Sequence, residues 1–510
     1  MPQGFDDIVV GAGSAGTVLA ARLSADPARR VLLVEAGPDH ADPAALPADL
    51  RDGCTPSMVD HDWALEGVRE DGARLPLPRG RVVGGSSAVN SCVALRPSPG
   101  DFADWDEAVG GGWSWPRVLP FFRLLETDTD FTGPVHGSDG PLRLRRCAGD
   151  MLTPLSAALV ETATAAGHPY TPDHNAPDAT GVGPLPLSLT EDGTRISAAS
   201  AYLAPARTRT NLTLLPETLA DRVLFSGGTA TGVVLRSGGR TRTVYADRVT
   251  LCAGAYGTPA LLHRSGIGPR RVLDALGVRP VAELPGVGAG LADHSQVPIG
   301  VLPVAGLCDP ADPCAQVVLR CTAPGSAVAD DLQIYALNHV RLDVYAPRLA
   351  ARAPDGRAFM MTANLMAPRG RGTVTAVSPD PTIAPRIAID YTAHDEDARR
   401  LRAGVALCWE LLRQAPFTAL TKEIIDLDEK SVGSPARLDA YVREAARTAH
   451  HPMGTARMGR VDDPGAVVDT RLRVHGTRGL RVADASVVPV PVRANTNLLA
   501  LAIGERAATW

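Results

Sequence analysis

The sequence predicts a mixed α/β fold, and three features near its start carry that prediction. A short apolar run, Ile8 to Val10, reads as a buried parallel strand. It breaks into the glycine turn Gly11-Ala12-Gly13-Ser14-Ala15-Gly16, and a helical pattern then runs from Thr17 to Ser24. A second apolar run, Val31 to Val34, ends on the carboxylate Glu35. Strand, glycine turn, helix, strand and acid in that order describe a βαβ unit.

Each residue type in that unit has a physical task. Gly11 permits the tight turn, Gly13 lets backbone approach a pyrophosphate, and Gly16 lets helix and strand pack closely. The helix N-terminus, at Ser14 and Ala15, supplies unpaired N–H groups and partial positive charge. Glu35 stands where a carboxylate accepts hydrogen bonds from a ribose diol. Fifty glycines in 510 residues raise the chance rate of the glycine spacing, so the weight rests on the flanking elements. They predict a dinucleotide site but do not choose between NAD and FAD.

The length allows two or three domain-sized units around a large core. A hydrophobic fraction of 45% and a charged fraction of 21% are those of an ordinary globular protein. A net charge of −5, without a polybasic segment, gives no reason to expect nucleic acid or an anionic membrane as partner. Leu498 to Ile503 is apolar but far shorter than the about 20 residues that span a bilayer. The N-terminus enters a strand at once without the pattern of a signal peptide, so a cytoplasmic location is expected. The eight cysteines show no CxxC pairs. Cys308, Cys314 and Cys321 cluster, but no histidine or carboxylate pattern completes a metal set, and reduced thiols are expected with no metal.

Further along, Gly37 to Leu77 is proline-rich and too irregular for a regular element. Pro78 to Cys92 packs glycines and serines among Val82, Val83 and Val89, which predicts a buried loop lying against a flat or phosphorylated ligand. Trp105 to Glu126 reads as a turn and a helix with Pro116 at its start, and Leu155 to Ala166 as a helix. Leu212 to Cys252 reads as strands joined by hairpins at Gly227-Gly228 and Gly238-Gly239. A helix is expected over Ala260 to Arg264. Gln333 to Leu337 and Phe359 to Met366 are expected strands of a sheet roofing a pocket. Asp397 to Leu412 and Leu498 to Ala508 are expected helices.

Seven segments taken together resemble, in the right order, the glucose–methanol–choline flavoenzyme family. They are the opening fingerprint with Glu35-Ala36-Gly37, Gly80 to Asn90, Gly254 to Gly268, and Pro285-Gly286-Val287-Gly288 running to Asp293-His294. The others are Arg369-Gly370-Arg371-Gly372, His451-Pro452-Met453-Gly454-Thr455, and Ala494-Asn495-Thr496-Asn497. The last two are most similar to the choline dehydrogenase and hydroxymethylfurfural oxidase branch. The resemblance implies a Rossmann-like FAD-binding domain formed by residues 1–99, 188–294 and 448–510. A discontinuous α+β substrate-binding domain takes residues 100–187 and 295–447.

It also implies an FAD-dependent alcohol oxidase or dehydrogenase that removes the O–H proton while a hydride leaves for flavin N5. By motif match His451 is the base, in preference to His450, and Asn497 its partner. A histidine near its ordinary pKa of about 6.5 suits the proton step. Asn497 also opens the last helix, whose N-terminal charge faces the flavin N1–C2=O edge. Asn90-Ser91 and Asp484-Ala485 hold the ring system, and Ala220 backbone holds the adenine. Arg81, Val83, Gly85, Ser86, Val93, Asn495 and Thr496 complete the implied contacts beside Gly11, Gly13, Ser14, Ala15, Gly16, Glu35 and Ala36.

Three departures stand out: Val89 where several members link the flavin to a histidine, Gly290 for an asparagine, and Gly254-Ala255 for Gly-Ser. Val89 predicts non-covalent FAD. A lyase of the hydroxynitrile type is the alternative reading on the same scaffold. The partners expected are a small alcohol and oxygen or another electron acceptor. The alcohol, the acceptor and the oligomeric state are not legible.

Overall fold

The strand Phe5–Val10 pairs in parallel with Val31–Val34 on one side and with the far half of Arg240–Leu251 on the other. Leu212–Leu215 extends this sheet beyond Val31–Val34, and Leu480–Val482 extends it beyond Arg240–Leu251, both in parallel register. Strands buried on both faces read as unbroken apolar runs, and Ile8, Leu32 and Leu33 are fully buried. The computed structural model describes residues 4–345, 347–353 and 355–510. The first three residues of the expected FAD-binding segment lie outside it.

Leu219–Ser226, Thr229–Ser237 and the near half of Arg240–Leu251 form an antiparallel meander on the same sheet. Both hairpin glycine pairs adopt positive φ, +54° and +77° at Gly227-Gly228 and +54° and +74° at Gly238-Gly239. Positive φ at both central residues is the turn whose twist matches the flanking strands.

The helices Ser14–Leu23 and Thr496–Ala507 lie side by side, which brings two helix N-termini to one place. The contact needs small residues. A Cβ at Gly504 would stand 2.5 Å from the Ala15 carbonyl oxygen, and one at Gly16 would stand 1.9 Å from that of Gly11.

The second large sheet runs in the order Thr421–Ile424, Ser295–Pro303, Arg357–Leu365, Leu332–Arg341, Ala315–Cys321, Gly181–Pro184, with every neighbour antiparallel. Ile334, Ala336, Met361 and Ala363 join the core beneath helices Asp395–Leu412 and Pro154–Ala165. Residues of the alternate register, Tyr335, Leu337, Met360, Thr362 and Asn364, line a cavity. Beside this sheet a buried ionic network joins Arg96 to Glu126 at 2.6 Å and Arg146 to Asp128 and Asp173 at 2.8 Å. Among the described residues only Glu126, Asp128 and His136 have metal-ligand spacing. Burial pulls the His136 imidazole down, but Asp128, Asp173 and Glu126 outweigh it and hold it up at about 11. These carboxylates are already matched by cations.

Three expectations differ from what is observed. Residues 37–77 do contain regular elements, the short helix Ala48–Arg51 and the strands Glu66–Val68 and Arg74–Pro76. Ile387 pairs with Gly67 from over three hundred residues away, a partner no local pattern reveals. The stretch before Trp115–Leu125 is not a turn alone, because the helix Pro99–Val109 holds Trp105 and starts at a Ser98–Asp101 capping box. The helix expected from Ala260 starts six residues earlier, as Gly254–Arg264, with Pro259 inside it.

Candidate active site

A cavity of about 590 Å³ runs between the two sheets. Every residue named above for cofactor or catalysis lines it, with the exceptions of Gly16 and Val83. Gly16 acts one layer back, where its missing side chain lets the first helix meet Gly11. Val83 is core, and its N–H donates to the Pro38 carbonyl at 3.0 Å.

Glu35 marks one end. Its two carboxylate oxygens each accept one backbone N–H, from Ala12 and from Gly37, both at 2.9 Å. Burial drives its carboxyl up to about 7 against those two donors. Each oxygen keeps a second lone pair for a diol. Ala220 sits nearby, because the Thr218 N–H donates to the Glu35 carbonyl at 2.8 Å.

The middle is a glycine cradle. The Gly84 N–H donates to the Ala12 carbonyl at 2.7 Å, and a Cβ on Gly85 would come within 2.6 Å of the Gly13 Cα. The two glycine loops therefore lie backbone to backbone. Gly13 caps the first helix without a side-chain hydrogen bond, and Asn495 caps the last one likewise. The Ser14 hydroxyl donates to Asn497 Oδ1 at 2.8 Å and ties these two N-termini together. Asp484 braces the wall from behind, accepting from Gly254 N–H (2.9 Å), the Thr258 hydroxyl (2.6 Å) and Ser486 N–H (2.8 Å). The Arg81 guanidinium lies 5.1 Å from the Trp63 ring centroid. Asn90 is fixed by Cys92 N–H on its Oδ1 at 2.9 Å and by Arg195 on its carbonyl.

The other end holds the histidines. His451 Nδ1 is 3.1 Å from His294 Nδ1, and His451 Nε2 is 3.1 Å from Asn495 Nδ2. The amide that faces His451 is thus that of Asn495, not that of Asn497. Asn495 is the non-helical cap that precedes Thr496–Ala507 and Asn497 is the second residue of that helix, so the two side chains leave in different directions, Asn497 toward Ser14. Burial, then His294, His450 and Arg79, hold His451 well below the usual imidazole range, so it is neutral. Burial also lowers His294 to about 4 and His450 to about 3. His450 also lines the cavity, with a backbone φ of +69°, but among the described residues its Nδ1 has no partner.

Asp293 positions this segment. Its Oδ1 accepts the His451 N–H at 2.9 Å, and its Oδ2 accepts the hydroxyls of Tyr391 (2.8 Å) and Thr448 (2.6 Å). Ala292 and Met453 exchange backbone bonds at 3.0 and 2.8 Å, which clamps the two segments together. The Asp293-His294 dipeptide belongs to one of the family-like segments, but no role for it is legible in the sequence. Tyr335 is not legible at all, since one tyrosine in a strand carries no motif.

Models of the GMC oxidoreductase family match residues 5–296 and 368–504. This chain belongs to the GMC oxidoreductase family. It is 36% identical to an oxygen-dependent choline dehydrogenase of Rhizobium etli, over 99% of this chain and 94% of that one. With the enzyme of that name in Stenotrophomonas maltophilia it shares 35%, over 99% and 94%. Pyridoxine 4-oxidase from Mesorbium loti superposes with a TM-score of 0.89 at 30% identity, covering 99% of this chain and 98% of that one. Like other GMC oxidoreductases, the chain is an FAD-dependent oxidoreductase acting on CH–OH donors.

The cavity suits that cofactor. The first helix N-terminus, with no side-chain cap, and a side-chain-free cradle can offer N–H donors to a pyrophosphate, and Glu35, which accepts the Ala12 N–H at 2.9 Å, lines the same cavity. The Tyr256 hydroxyl, buried and without a protein partner among the described residues, also lines it. No described helix is long and apolar enough to cross a membrane.

Proposed function

We propose that this protein oxidises an uncharged primary alcohol, with His451 as base and Asn495 as the amide that holds the alcohol oxygen. The observation that carries it is His451 Nε2 standing 3.1 Å from Asn495 Nδ2 at one end of the cavity. FAD, when bound, supplies the hydride acceptor. The protein handles the proton. A hydroxyl entering between the two side chains accepts from the Asn495 amide and donates to Nε2 of His451. With Nε2 unprotonated, the proton of neutral His451 sits on Nδ1 and is donated to His294 Nδ1. Burial keeps the imidazole neutral and ready, and Asp293 fixes the backbone that carries it.

The relatives are named for choline, whose quaternary ammonium calls for a carboxylate or an open aromatic face. Among the described residues three carboxylates line the cavity, Glu35, Asp62 and Asp484. Glu35 and Asp484 are engaged as described, and Asp62 accepts the Arg79 N–H at 2.6 Å. Arg79 and Arg447 line it too, so the local field opposes a permanent cation. Gln296, Thr362 and Asn364 offer neutral polar groups instead.

Val89, buried in the cavity wall, supports non-covalent FAD, because its side chain has no atom that can bond a flavin. Acid precipitation is expected to leave the yellow colour in the supernatant, and a coloured pellet contradicts this. The two sheets support the discontinuous division into an FAD-binding and a substrate-binding domain. Eight free, buried cysteines support a reducing, cytoplasmic setting.

The deciding experiment is anaerobic rapid mixing with choline, benzyl alcohol, pyridoxine and 1-butanol, each repeated with oxygen to identify the acceptor. A neutral alcohol should bleach the flavin faster than choline. His451→Ala should keep FAD and lower bleaching by about 10²–10⁴, whereas His450→Ala should cost little. Cyanide release from a cyanohydrin without bleaching would favour the lyase.

A further inference from the structure

Asn495 can serve His451 only if its amide points the right way round, and one contact decides that. Asn495 Oδ1 lies 3.0 Å from the Tyr335 hydroxyl, on the side away from His451. Tyr335 is buried, lines the cavity, and stands on Leu332–Arg341 in the second sheet. Its hydroxyl also lies 2.7 Å from Gln333 Oε1. Gln333 cannot turn to relieve this, because its Nε2 donates to the Arg493 carbonyl at 3.0 Å. One phenolic proton therefore faces two carbonyl oxygens.

The two positions of that proton have different consequences at the base. When it points to Asn495 Oδ1, the amide NH₂ faces His451, which must then present a bare Nε2. That is the form able to take a proton from an alcohol. When it points to Gln333, the tyrosine oxygen can only accept, and the Asn495 amide is satisfied by turning round. Its Oδ1 then faces His451, which must carry a proton on Nε2. In that form His451 takes no proton from a substrate, and after proton transfer the same arrangement stabilises the charged imidazole.

We propose that Tyr335 is a positioning residue whose hydroxyl sets the Asn495 amide, and through it decides whether His451 Nε2 is free to act as base. This rests on the assignment of His451 and Asn495 above. A tyrosine that merely packed, or that touched substrate directly, would behave differently under mutation.

The test is a double-mutant cycle on the flavin-loaded enzyme, with the fastest alcohol of the panel above and anaerobic bleaching as readout. Tyr335→Phe keeps the ring and removes the proton. It should lower the limiting bleaching rate by about tenfold, the worth of one buried hydrogen bond, and leave the substrate dissociation constant within about twofold. In an Asn495→Ala background the same change should cost less than about twofold, because both residues act on one nitrogen. A Tyr335→Phe loss of equal size in both backgrounds overturns the proposal, as does a loss confined to the dissociation constant, or none at all. If Tyr335→Phe does not retain FAD, Gln333→Leu probes the same contact by removing the competing acceptor. The rate should then hold or rise, and a tenfold fall overturns the proposal. Failure of the underlying reading looks different: His451→Ala would bleach like wild type, whatever the cycle shows.

Discussion

Asn495 and Asn497 sit two residues apart, yet the first faces His451 at 3.1 Å and the second accepts from Ser14 at 2.8 Å. Their mutants should therefore separate. Asn495→Ala should slow flavin bleaching by about 10- to 100-fold with FAD content unchanged, the scale of a lost charge-orienting hydrogen bond in a buried site. Asn497→Ala should leave bleaching within a few-fold but loosen FAD, since it unties two helix N-termini. Flavin content after dialysis and stopped-flow rates measure both. The reverse pattern would restore Asn497 as the partner.

The acid side of the pH profile follows from burial of the three histidines. His451 is held below the ordinary 6.5, and it acts as base when neutral. Bleaching should stay flat from pH 8 to about 6.5 and fall only at lower pH. The sign for stability is the same. A histidine whose folded value is lowered binds fewer protons folded than unfolded, so its contribution is complete above 6.5 and lost as pH falls toward the values of about 4 for His294 and about 3 for His450. Bleaching rates that already fall between pH 8 and 7 would contradict a neutral buried base.

Glu35→Ala should weaken FAD retention by about 10- to 100-fold, the equivalent of about 1.5–3 kcal/mol for a charge-assisted hydrogen bond. It also leaves the Ala12 and Gly37 N–H groups without their acceptor, so the apoprotein should lose stability too. Equilibrium dialysis against FAD measures the first effect and thermal unfolding the second. Full flavin content at unchanged affinity would remove Glu35 from the site.

Arg96→Met should be among the most damaging changes away from the cavity. Arg96 and Glu126 are 1% and 0% exposed at a separation of 2.6 Å, so losing the cation leaves the buried carboxylate with only His136 at 3.4 Å and the Gly137 N–H at 3.1 Å. Breaking such a pair costs about 3–5 kcal/mol. Chemical denaturation at neutral pH checks the magnitude. Replacing both partners with apolar residues should recover part of the loss.

What could be read without coordinates was whatever is encoded by neighbours in the chain. Ile8 to Glu35 announces a strand, turn, helix, strand and acid because each is set by residues a few positions apart. The paired glycines at 227–228 and 238–239 likewise demand positive φ locally, and the hairpins are there. The histidine-proline and asparagine motifs pointed to residues 451 and 495–497 for the same reason, and all of these line the cavity. Arg74–Pro76 is a strand only through its pairing with Glu66–Val68, which was itself invisible because it pairs with Ile387 and Ala388 from far along the chain. So was Tyr335, which enters the site only because Leu332–Arg341 lies in the sheet facing residue 495. The choice between Asn495 and Asn497 depended on where the helix Thr496–Ala507 begins, with Asn495 as its non-helical cap and Asn497 inside it, which motif spacing does not encode. The sequence by itself determined the family, its FAD cofactor and the segments that line the cavity. The tertiary structure alone decided which side chain meets His451, because a hydrogen bond is settled by direction over about 3 Å and not by distance along the chain.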